Sequence, residues 1–124
     1  MNDRQEVELM EELPPGTYHA AIINIPEVEE FGEEDWEYFK APFQITSGEH
    51  EGRTVTYSAP FHEQATPKSR LGRLLRALFP EQKSGKFKFE EMLQKPCEIV
   101  CEEDDEDFLE ITKVRLLGTD EKPY

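Results

Sequence analysis

Trp36, Tyr38 and Lys40 recur at two-residue spacing in "WEYFKAPFQI", residues 36–45. On an extended strand that spacing puts all three side chains on one face, with Phe39, Ala41, Phe43 and Ile45 on the other. Rings displayed in this way can stack on nucleobases, worth about 1–3 kcal/mol per base and tolerant of sequence. They can equally cover a second small apolar cluster, for instance beneath an N-terminal arm. The next strand, "RTVTYSAPF", residues 53–61, sets Thr54, Thr56 and Ser58 on one face and Val55 and Tyr57 on the other. Its polar face beside the rings, with Lys40 and Arg53 touching the backbone, would form a surface for a single nucleic-acid strand.

A second group is electrostatic. The formal net charge is -14, from 28 acids against 14 bases. Yet "TPKSRLGRLLRALFPEQKSGKFK", residues 66–88, holds Lys68, Arg70, Arg73, Arg76, Lys83, Lys86 and Lys88 against one acid, Glu81. At 100° per residue, Leu71, Leu74, Leu75 and Leu78 share one face of a helix, and Arg70, Arg73 and Arg76 lie opposite. Such a face either neutralises phosphates, with salt-sensitive association, or docks an acidic partner, or is simply solvated. Net charge limits indiscriminate association, whereas local charge decides where a polyanion lands.

Other chemistries lack their residues. "EEDDED", residues 102–107, has neither the glycine nor the ligand spacing of a calcium loop, and reads as a solvated hairpin tip. His19, His50 and His62 lie in different elements; His19 is expected to be a partnered core residue. Cys97 and Cys101, four apart on one strand, sit about 13 Å apart, too far for a disulfide and too few for a structural zinc site. They are expected to be buried free thiols. Nucleotide-loop, nucleophile-elbow and zinc-protease motifs are missing, and chance carboxylate pairs are uninformative among 28 acids. The expectation is a protein that is not an enzyme and needs no metal or cofactor.

The elements that must position these groups follow from pattern. "PPG" at 14–16 is a turn, and "TYHAAIINI", 17–25, is a buried central strand ended by Pro26. "EVEEFGEEDWE", 27–37, has seven acids and no period, and is expected to be a long loop. Strands at 36–45 and 53–61 follow, Pro42 suggesting an edge or a bulge. A helix is expected with Thr66 as its cap and Pro67 at its first position, stopped by Pro80. A basic connection then leads to a hairpin of "PCEIVCE", 96–102, and "FLEITKVRLL", 108–117. The order strand–strand–strand–helix–strand–strand is that of the OB-fold, an all-β five-stranded Greek-key barrel with one helix.

The chain has 124 residues, a one-domain length, and twelve aromatics besides Trp36 argue for a folded core. The expected organisation is an acidic arm at 1–13, the domain at 14–118 and a tail at 119–124. No apolar run approaches a membrane span, and the N-terminus lacks the basic start and apolar centre of a signal peptide. A cytoplasmic location is expected.

"LPPGTYHAAI", "FQITSGEHEGRTV", "LGRLLRALF", "LQKPCEIVCEED" and "ITKVRLL" follow one another as in a bacteriophage family of uncharacterised domains. The chain resembles that family over about residues 13–117. The family is encoded beside phage replication and recombination genes and is thought to contain single-stranded DNA-binding OB-fold proteins. The resemblance implies a single-stranded DNA partner in a bacterial host cell, with replication or recombination proteins as further partners. One feature departs from the usual ligand groove: the loops expected to flank it are both acidic. An acidic module or DNA mimic that binds a basic partner protein is therefore the alternative.

Overall fold

The alternation in 36–45 becomes the central strand of the sheet. In the computed structural model, which describes residues 6, 7, 9, 12–31 and 36–117, six strands and one α-helix are formed. They are β1 (Gly16–Ile22), β2 (Glu27–Phe31), β3 (Trp36–Ile45), β4 (Thr54–Pro60), α1 (Arg70–Leu78), β5 (Cys97–Glu103) and β6 (Leu109–Leu116), with a 3-10 helix at Phe89–Met92 before β5. All strand pairings are antiparallel in one open sheet. β3 carries β4 along one edge, and β1 and β2 in succession along the other. β1 then pairs with β5, and β5 with β6.

β2 replaces part of the expected 27–37 loop. Its glutamates are poor strand formers, but pairing along β3 supplies the ladder hydrogen bonds and outweighs that preference. The expected strand at 17–25 stops at Ile22. Ile22 faces Phe43 and Glu27 faces Lys40, so four residues, 23–26, span only two of β3. The surplus buckles outward and leaves Ile23 and Ile25 exposed, while Pro26 is buried.

Phe39, Ala41, Phe43 and Ile45 are all buried, as are Val55, Tyr57 and Ala59 of β4. Against this face pack Leu71, Leu74, Ala77 and Leu78 of α1, with Ile99, Ile111 and Val114 from the last hairpin. Each fully buried side chain of this size contributes about 1.5–3 kcal/mol. Cys97 and Cys101 are buried free thiols, as expected. His19 differs from expectation: the outward phase of β1 leaves it exposed.

The helix cap is Ser69, not Thr66. Ser69 Oγ accepts from the Gly72 N–H at 3.0 Å, and the Ser69 N–H donates to Thr66 O at 3.1 Å, so Thr66–Ser69 is a turn leading into the helix. The turn folds back onto Gly72. A Cβ there would lie 1.8 Å from Thr66 O, so only glycine fits.

Arg70, the first helical residue, closes over the two outer strands. Its Nε donates to Ser58 O of β4 at 2.6 Å and an Nη to Ile111 O of β6 at 2.7 Å. The guanidinium lies 4.2 Å from the centre of the Tyr57 ring, and the Tyr57 hydroxyl donates to Arg70 O at 2.7 Å. One side chain thus straps together two edges that share no ladder.

Of the expected 1–13 arm, residues 1–5, 8, 10 and 11 lie outside the described residues, and so do residues 32–35 and 118–124. Leu13, within the expected arm, packs on the core. Among the described residues, no helix is long and apolar enough to cross a membrane.

Candidate nucleic-acid interface

β3 displays Trp36, Tyr38 and Lys40 outward because their neighbours are drawn into the core. Trp36 is 55% exposed, and Tyr38 and Lys40 are half-buried. Their cross-strand neighbours extend the same face: Tyr38 lies opposite Pro60, Lys40 opposite Ser58, and Pro42 opposite Thr56. The structure therefore brings together three of the four strand residues singled out from sequence.

Beside them an open groove of about 660 Å³ runs between the 23–26 buckle and the outer face of β3 and β4. Ile23, Ile25, Pro42 and Leu93 supply apolar surface. Glu27, Glu29 and Lys40 are the charged groups, and Lys40 Nζ is held 3.0 Å from Glu29 Oε2. One continuous strand over 17–25, as the apolar run suggests, leaves no room for this groove. The available signal was Asn24 close to Pro26, a turn-forming pair inside an apolar run.

Arg53 stands apart. Its carbonyl accepts from Ile45 N–H, at the far end of β3 from Trp36. Nine residues of strand make that separation about 30 Å. There Arg53 neighbours Tyr18, whose ring meets His50 edge-on with centres 5.9 Å apart. The Tyr18 hydroxyl donates to Pro14 O, and its pKa is raised by burial, then by Cys101, with Arg53 opposing.

The basic segment divides. Arg70 is engaged by the sheet edges, as described. Arg73 and Arg76 are exposed on α1, which packs against β4 and β6. Arg73 shares a shallow depression with Lys113 of β6, a cation that sequence reading passed over because it sits alone in a strand. Lys83, Lys86 and Lys88 are exposed on the connection after the helix. That connection is tied down by Phe79 and Phe87, with ring centres 4.8 Å apart, and by Lys95 Nζ, 4.8 Å from the Phe79 ring.

Lys88 arrives near the aromatic end of β3. The next residue, Phe89, meets Phe39 and Phe61 edge-on at 5.2 Å and 6.4 Å. The Phe61 N–H in turn donates to Glu37 O, beside Trp36. Four residues after Phe89, Leu93 reaches the groove. The connection thus packs on the core-facing side of β3, opposite the Trp36 and Tyr38 face, and brings Lys88 close to that end of the sheet.

The opposite hairpin tip is a self-satisfied turn. Asp104 Oδ1 accepts from the N–H groups of Glu106 and Phe108 at 2.8 Å and 3.0 Å. The described residues hold no group of three or more His, Cys, Asp or Glu able to bind a metal ion. Burial pushes the Cys97 thiol up to about 12 and the Cys101 thiol up to about 11, so neither is a nucleophile near neutrality. Burial also raises Tyr57.

Comparison with protein-family models and with curated proteins found no match.

Proposed function

We propose that this chain binds single-stranded DNA without requiring a fixed sequence, on an OB-type barrel formed when the sheet curls and Arg70 bridges β4 to β6. The observation that carries this is the exposed Trp36 with Tyr38 on the outer face of β3, followed along the same face by a groove lined by Lys40 and Pro42. Bases stack on the two rings, which contributes about 1–3 kcal/mol each. Lys88, with Lys86 and Lys83 behind it, faces the phosphates on one side, and Lys40 does so when it leaves Glu29. Arg73, Arg76 and Lys113 form a second basic surface, for a longer strand or an acidic partner. Arg53 and Arg70 take no part in the stacking surface. The family resemblance over 13–117 supplies the setting: replication or recombination of a phage or prophage in the bacterial cytoplasm, beside other proteins of that machinery.

Two carboxylates in the groove favour a second function, an acidic module that receives a basic partner protein, or a mimic of DNA. Fluorescence anisotropy of a labelled oligonucleotide across a salt series separates the two. Single-stranded DNA binding gives quenching of the lone Trp36 and an affinity that falls with salt, with a log–log slope of about −0.7 per phosphate neutralised. No association at low salt refutes it and favours the basic partner.

A further inference from the structure

The groove has a charge that a phosphate would avoid and a shape that a ring would fill. Its size lies within the roughly 300–1,000 Å³ of ordinary small-ligand sites. Its apolar sides come from Ile23 (39% exposed), Ile25 (54% exposed), Pro42 and Leu93. Among the described residues, Glu27 and Glu29 against Lys40 leave one net negative charge. Because Glu29 is engaged with Lys40 at 3.0 Å, Glu27 carries the uncompensated carboxylate among the described residues of the groove. Its Cα lies directly opposite Lys40, on the same outward phase as the stacking residues.

An ionised carboxylate accepts hydrogen bonds and donates none. A ring that enters this groove is therefore selected by the donors on its edge. Cytosine carries an amino group at N4 and adenine one at N6, whereas thymine has no amino group: O4 stands at the corresponding position, and its one edge donor, N3–H, is flanked by two carbonyl oxygens. A carbonyl oxygen facing Glu27 is repelled; an amino group is bound.

We infer that the groove beside β2 is a base pocket in which Glu27 favours amino-bearing bases, so that strands rich in cytosine or adenine bind more tightly than oligo-thymidine. The inference rests on the single-stranded DNA function proposed above and adds a compositional preference to it. Stacking on Trp36 and Tyr38 remains indifferent to the base, which is why the preference is graded rather than a fixed sequence code.

The test is anisotropy with oligo-dC, oligo-dT and an oligo of N4,N4-dimethylcytidine, all of equal length and at one salt concentration, using the wild type and Glu27→Ala. Glu27 is exposed, so the variant should melt like the wild type, which a thermal scan verifies. The expected result is roughly tenfold tighter binding of oligo-dC than of oligo-dT, the low end for one hydrogen bond to a charged group. The dimethylated strand, lacking the donor, should fall to the oligo-dT level. Glu27→Ala should remove the difference by weakening oligo-dC while oligo-dT holds or tightens. Equal binding of oligo-dC and oligo-dT by the wild type overturns the base pocket and leaves the DNA function standing. A preference that survives Glu27→Ala overturns the role of Glu27. Failure of every oligonucleotide to bind overturns both and leaves the groove to a basic peptide.

Discussion

Replacing Arg70 by methionine should unfasten the outer strands while leaving the stacking surface intact. Methionine keeps an unbranched apolar stem and helix propensity but has no donor. Two charge-assisted hydrogen bonds disappear, to Ser58 O and Ile111 O. The guanidinium is half-buried, so each is discounted to about 1 kcal/mol from the roughly 1.5–3 typical of charged partners. Losing the contact with Tyr57 costs about 0.5–1 kcal/mol more. The stranded Ile111 carbonyl adds about 1 kcal/mol, whereas the Ser58 carbonyl turns to water. Removing a cation from the first turn of a helix returns about 0.3–1 kcal/mol. The net loss is about 2.5–3.7 kcal/mol, a melting temperature lower by about 10–17 °C for a chain of this size. Arg70→Lys should fall between, since one ammonium cannot span both carbonyls. Thermal and urea unfolding followed by circular dichroism measure this, and DNA anisotropy well below the variant's midpoint measures the other half. A midpoint within a degree or two of wild type refutes the strap. Weakened DNA binding with unchanged stability would return Arg70 to the nucleic-acid surface.

Trp36→Ala should reduce single-stranded DNA affinity by about 1–3 kcal/mol with little change in melting temperature, because the ring is mostly outside the core; anisotropy beside a thermal scan reads both, and unchanged affinity would remove Trp36 from the interface. Gly72→Ala should cost at least about 3 kcal/mol in urea unfolding, since a Cβ 1.8 Å from Thr66 O forces the turn and helix apart, and a neutral result would contradict the close approach. Cys97 and Cys101 have folded pKa values raised to about 12 and about 11 from 9.0. Their contribution to stability is therefore complete below about pH 9 and is lost as pH rises through the folded values. The urea midpoint should fall steadily above pH 9, by up to about 1.4 kcal/mol per pH unit for each thiol, and a Cys97→Ala, Cys101→Ala double variant should flatten that slope. Thiol reagents at neutral pH should react slowly with the native wild type and rapidly once urea is added.

Strands with one buried face were legible in sequence. The alternation of Phe39, Ala41, Phe43 and Ile45 against polar neighbours admits a single phase, since a one-residue slip would put every ring in water. The leucines of α1 were equally plain. β2 was not legible, because a stretch such as "EVEEF" states its repulsion locally and its ladder partner, β3, only in space. The helix cap was misplaced for a related reason. Thr66–Pro67 and Ser69 both carry local cap signals, and the choice between them is made by the turn that seats on Gly72. On a helical wheel Arg70 and Arg76 are 120° apart, wide enough for one to reach the sheet edges while the other faces solvent. A basic face counted from sequence therefore overstates the charge left for a ligand. The groove was hidden by the four-against-two mismatch at 23–26, which depends on where β2 re-enters the ladder.

The mutual grip of Tyr57 and Arg70 fixes α1 at its beginning. Main chain and side chain of the same residue are both fastened there, so the helix is hung from its first turn. The exposed stretch between Phe79 and Phe87 can then change length without loosening that mooring. Ser84 and Gly85, exposed in the connection, offer a place to graft a fluorophore or a spacer, with the stacking surface left as it was.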